Sequence, residues 1–132
     1  MKSKYFALLL GWLVPGLGHL YTGRRWKAAL FFGVITVSAL AGLVMGDFRN
    51  VYFSARHYQL YAEMGNGLFT LLAGTVFAAS GAAPVEHTAS GSFLANVLPI
   101  ADLYLMVAGL LNLVVAANAF DSAARDNRGR GR

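Results

Sequence analysis

The chain has 132 residues, enough for one domain, with 57% hydrophobic and only 13% charged residues and a net charge of +5. A soluble domain carries about a quarter charged residues, so this deficit excludes an ordinary soluble globule and points to an integral membrane protein. Cysteine is absent, which removes disulfides, thiolate catalysis and cysteine-based metal sites. The cations flank apolar runs and form no aromatic–basic platform, which argues against nucleic acid and for anionic headgroups.

The N-terminus, with Lys2 and Lys4 ahead of apolar Phe6–Val14, imitates a secretory signal. It lacks a convincing small-x-small cleavage site, so it reads as an uncleaved first membrane segment. That segment runs from Tyr5 to about Tyr21 and is interrupted by Pro15, Gly16 and Gly18, with Gly23 just beyond. Proline and glycine at this density end a helix and turn the chain back, so 14–25 predicts a helical hairpin. The second segment, Trp26 to Met45, is the cleanest span, with no charge from Ala28 onward.

The stretch Gly46–Gly67 holds Tyr52, Phe53, Tyr58 and Tyr61 among Arg49, Arg56, His57 and Glu63. Aromatic rings with polar tips favour the headgroup layer, so 46–67 is expected to form a short interfacial helix. A third segment runs from Leu68 to Ala83, Pro84–Ser92 is a polar loop, and a fourth runs from Phe93 or Pro99 to Phe120. Apolar runs approaching the ~30 Å hydrocarbon thickness, without period-2 alternation, predict helices rather than a barrel. The expected fold is an all-α integral membrane bundle of three to four transmembrane helices over 1–120, with 121–132 as a basic, disordered tail. With four spans, the N-terminus, 46–67 and the tail share one side and outweigh Arg24, Arg25 and Lys27 on the other. Both termini are then cytoplasmic. A re-entrant first segment would leave three spans.

Lipid tails are as apolar as leucine, so small residues at four-residue spacing drive close helix contact. Ser38, Gly42 and Gly46 form one such stripe, Thr70, Gly74, Ala78 and Ala82 a second, and Ala108, Asn112 and Ala116 a third. These suit packing within a bundle or against a partner helix.

Among residues able to carry chemistry, His19 stands out as a candidate axial ligand for haem or (bacterio)chlorophyll, or a proton relay. The simpler reading is a histidine hydrogen-bonded to the turn. His57 and His87 have no ligand-like spacing to it, and no metal site is expected. Arg24, Arg25, Trp26 and Lys27 are expected to bind lipid phosphates at the membrane surface. Asp102 and Asn112 lie on the fourth segment, where a carboxylate in lipid is costly and often functional. No nucleophile elbow, zincin, P-loop or dinucleotide motif is present, so no enzyme is expected.

The run Leu10-Gly-Trp-Leu-Val-Pro-Gly-Leu-Gly-His-Leu-Tyr-Thr-Gly-Arg-Arg-Trp-Lys-Ala-Ala-Leu-Phe-Phe resembles the opening of a family of small bacterial integral membrane proteins of uncharacterised function. That opening reads W-x-x-P-G-x-G-H-x-Y-x-G-(R/K)-x-x-(K/R)-(G/A), and it is similar to the TM-two hairpin domain. The run from Leu103 to Asp121 resembles the same family's G-L-L-N-x-x-x-x-x-D-A-(Y/F)-D ending, with Asn118 where the pattern has an acid. The resemblance implies a bacterial membrane bundle with a defined hairpin, and the family offers no activity to carry over.

The functional expectation is a non-enzymatic accessory or scaffold subunit packed against a larger membrane complex, with respiratory or photosynthetic assemblies as natural hosts. Membrane lipids and larger integral membrane proteins are the expected partners. Two alternatives stand beside it: an ion-handling protein or small transporter using Asp102, Asn112 and His19, and a lipid-binding hairpin.

Overall fold

The computed structural model describes residues 3–48, 50–51, 59–81 and 93–129. Those residues form helices and turns with no strand among them. The helices are α1 (Lys4–Leu13), α2 (Leu17–Tyr21), α3 (Arg25–Met45), α4 (Gln59–Glu63), α5 (Leu68–Ser80) and α6 (Phe93–Gly129), with a 3₁₀ turn at Met64–Asn66. Two stretches, Arg25–Met45 and Asn96–Gly129, are long and apolar enough to cross a membrane. They run antiparallel: Arg24 donates to Ser122 Oγ at 3.0 Å, while Gly42 packs against Ala101 and Leu105. The side chains between them, Ile35, Ala39 and Leu43 on α3 with Leu105, Ala108 and Val115 on α6, form the core together with Val51.

The first apolar segment does not cross the bundle. Ser3 caps α1 through the Phe6 amide, and α1 runs antiparallel to α6, from the Tyr5–Phe120 ring contact at 5.7 Å to the Gly11–Ala116 backbone contact. At Pro15–Gly16 the chain reverses. Gly16 takes φ +81°, a conformation that costs a residue with a Cβ, and its α-carbon lies directly on the Ala28 backbone. The short α2 then returns between α1 and α6, with Gly18 wedged against Ala7, Gly11 and Ala119. Ser3 N–H donates to Tyr21 Oη at 3.2 Å, tying the two ends of the hairpin together. Lys4, Arg24 and Arg125 therefore stand at one end of the molecule. The 22–27 turn lies at the same end of the bundle as Lys4, where the four-span reading puts the two on opposite sides.

A second interrupted pair approaches from the other end. Gly46, Asn50 and Val51 lie at the far end of α3, whereas Gly65 and Gly67 reach the middle of the bundle, against Gly109 and the Trp12 carbonyl. α5 then leads back, so that Ala73 sits with Leu43 and Val51. At 13 residues it is too short to span. The expected interfacial helix at 46–67 is only partly within the described residues. Where described, Glu63, Gly65, Asn66 and Gly67 are buried inside the bundle rather than laid on its surface. The 121–132 tail also differs from expectation: α6 stays helical through Gly129.

At the crossing of α6 with the 59–67 segment, a Cβ on Gly109 would collide with the Ala62 carbonyl, and one on Gly65 with the Gly109 carbonyl. Gly109→Ala and Gly65→Ala should each lower the free energy of unfolding by about 1–3 kcal/mol, measured by denaturant titration in detergent. Gly33→Ala, where a Cβ meets nothing within 4 Å, should not lower it.

Candidate functional site

The two interrupted pairs meet halfway along α6, and a broken helix inside an apolar bundle leaves carbonyls without intrahelical donors. Four side chains donate to backbone carbonyls here. Asn112 Nδ2 donates to the Trp12 carbonyl at 2.9 Å and to the Gly65 carbonyl at 2.8 Å, joining the tips of both pairs to α6. Trp12 Nε1 donates to the Met64 carbonyl at 3.0 Å, and Asn66 Nδ2 to the Leu105 carbonyl at 3.0 Å. Thr70 Oγ1 closes the second break by donating to the Glu63 carbonyl.

Beside this junction lies a carboxyl pair. Glu63 is fully buried, Asp102 is 2% exposed, and neither Glu63 carboxyl oxygen has a hydrogen-bond partner among the described residues. Burial first, and the Asp102 carboxyl second, raise the Glu63 pKa well above the ordinary carboxylate range.

His19 occupies the opposite half. Its ring is fully buried, 5.2 Å from the Phe31 ring, and neither nitrogen is hydrogen-bonded among the described residues. The turn-bonded histidine of the sequence reading is therefore absent: Thr22 Oγ1, not the imidazole, bonds the turn, through the His19 carbonyl at 2.9 Å. Burial, then Lys27 and Arg24, lower the His19 pKa and keep the ring neutral. A haem or chlorophyll needs an open face at the ligating nitrogen, and a ring with no exposure offers none.

The remaining predicted residues separate by position. Arg24 turns inward to Ser122 and to Asp126, 3.6 Å away, while Arg25, Trp26 and Lys27 are exposed at the same end. Gly42, Gly46, Thr70, Gly74, Ala108, Asn112 and Ala116 are buried. Ser38 is half-buried and donates to its own helix at Val34, and Ala78 is exposed. His19, Asn112 and Asp102 are not brought together. His19 follows Gly18, which packs at Ala119, so it lies about 25 Å along α6 from Asp102, with Asn112 between. Among the described residues no group of three or more His, Asp or Glu could hold a metal ion.

Glu63 and Trp12 were not singled out from sequence. The signal for Glu63 was a lone acid followed by Gly65-Asn66-Gly67 at the edge of an apolar run, which is the composition of a break inside a bundle as much as of a surface loop.

Residues 6–131 match the model of a family described as a family of unknown function, DUF6677. No curated protein and no solved structure is similar to the chain.

Asn112→Leu should cost about 2–4 kcal/mol by leaving two buried carbonyls without donors, read by unfolding in detergent. A raised Glu63 pKa contributes stability that is complete below the carboxylate range and is lost as pH rises toward the raised value. His19, with its lowered pKa, acts in the opposite direction only as pH falls below about 6.5. From about pH 7 to 8, stability should therefore fall by up to about 1.4 kcal/mol per unit, and Glu63→Gln should flatten that slope.

Proposed function

This chain belongs to the family of unknown function DUF6677, and we propose that it is a non-enzymatic integral membrane protein that serves as an accessory subunit beside a larger membrane protein. The observation that carries this reading is the outward face of its two long helices. Leu30, Val34, Val37 and Val44 on α3, and Leu103, Val107, Leu110 and Val114 on α6, are exposed, as suits contact with lipid or a neighbouring helix. α3 and α6 make the two full crossings of a bacterial inner membrane, and the α1–α2 and α4–α5 pairs enter part way from opposite faces. Lys4, Arg24, Arg25, Lys27, Arg125 and Arg128 gather at one end of the bundle, and the excess of cations makes that end cytoplasmic.

The polar groups at the middle of the bundle support a structural role. Asn112, Trp12, Asn66 and Thr70 are engaged with backbone carbonyls. On the outer face of α3, Gly33 leaves an unfilled notch beside Val37, which suits close approach by a partner helix.

The cysteine-free chain allows single cysteines to report sidedness. Ser3→Cys and Trp26→Cys should label from the cytoplasmic face and Asp47→Cys from the other. Labelling of positions 3 and 26 from opposite faces would restore the four-span arrangement. For the subunit role, the tagged chain in mild detergent should co-purify a stoichiometric membrane protein. Gly33→Leu should reduce that recovery at least fivefold without changing the chain's own melting temperature; equal recovery rejects the α3 face as the contact.

A further inference from the structure

We infer that the α2–α3 corner is a binding site for one anionic phospholipid, with its phosphate on Arg25 and an acyl chain along the Pro15–Gly16 bend. A groove of about 340 Å³ opens there, walled by Pro15, Gly16, Leu20, Ala29 and Phe32, with Arg25 as its one charged lining residue. The two adjacent arginines are separated by the fold. Arg24 is held inward by Ser122 and Asp126, whereas Arg25 is exposed and has no ion pair among the described residues. The helix register places Phe32 about 10 Å deeper than Arg25 along α3, so a cation at the mouth leads into an apolar trough.

That is the charge and polarity profile of a phospholipid: an anionic headgroup above hydrocarbon. Exposed Lys27 adds positive potential at the same level, and Trp26, 90% exposed, suits the headgroup layer. The floor of the trough is closely packed, since a Cβ on Gly16 would collide with the Ala28 carbonyl. An ordinary lipid-facing surface would not discriminate by headgroup; a built site with Arg25 at its mouth does. The inference rests on the membrane placement proposed above, not on the partner.

The test is native mass spectrometry of the full chain in detergent, titrated with phosphatidylglycerol or phosphatidylcholine of identical acyl chains. The wild type should retain one phosphatidylglycerol at least tenfold more tightly than phosphatidylcholine. Arg25→Gln should remove that preference, and Arg24→Gln should lower the melting temperature while keeping it. Ala29→Trp, which fills the trough, should weaken binding of both lipids. Equal affinity for the two lipids in the wild type, unchanged selectivity in Arg25→Gln, or a second copy of the chain in place of lipid would overturn the inference. A chain that stays soluble without detergent would instead overturn the membrane placement.

Discussion

Asn112 is the interaction on which the arrangement depends. One side-chain amide on α6 donates to Trp12 and to Gly65, two carbonyls at the tips of two separately interrupted helices. Inside an apolar bundle an unsatisfied carbonyl is costly, and water is not at hand to relieve it. Chain reversal at the middle of the structure is therefore tolerated only where another segment brings donors. Asn112, Trp12 and Thr70 bring them, Asn66 ties the second break to the Leu105 carbonyl of α6, and the close glycine contacts of Gly65 with Gly109 allow the backbones to approach far enough. The same economy explains why α1 and α5 are short: each is a limb leading to or from a break that α6 stabilises.

The hairpin's return changes the electrostatics of the whole chain. Counted on opposite sides, Lys4 and the Arg24–Lys27 cluster oppose each other; brought to one end, they add. Arg24 is the fastening, linking the start of α3 to Ser122 and Asp126 beyond the apolar part of α6. This contact also accounts for helix in the region read as tail, since Asp121 and Arg125 form an i, i+4 pair 2.9 Å apart on the same extension. One end of the molecule is thus cationic and fastened by side chains, and Arg25 and Lys27 are left over to face the headgroups.

The buried titratable groups occupy separate halves. Glu63 and Asp102 lie beside the junction and His19 near the cationic end, with the Asn112 clamp between them. Burial and neighbours of like charge favour the neutral form of Glu63 and of His19. This separation weighs against a continuous relay through His19, Asn112 and Asp102, and Asn112 is already committed to two carbonyls. The carboxyl pair makes the junction pH-sensitive without placing a reactive group at a surface.

Hydropathy and charge spacing are local properties, and they sufficed for what depends on local solvation: the all-helical class, the long apolar α3, and the reversal at Pro15–Gly16, where proline and a left-handed glycine stop a helix wherever they occur. They also marked Asn112 and Asp102 as unusual. What they could not decide was where the reversed chain goes, because the answer rests on a donor 100 residues away from Trp12. The burial of Glu63, the inward turn of Arg24 away from its neighbour Arg25, and the entry of 59–67 into the bundle are of the same kind. The aromatic and polar residues of 46–67 fit a membrane surface by composition alone. Only tertiary packing, by supplying partners for broken-helix carbonyls and backbone room at Gly109, determined that Glu63, Gly65, Asn66 and Gly67 lie inside while Tyr61 and Met64 stay exposed.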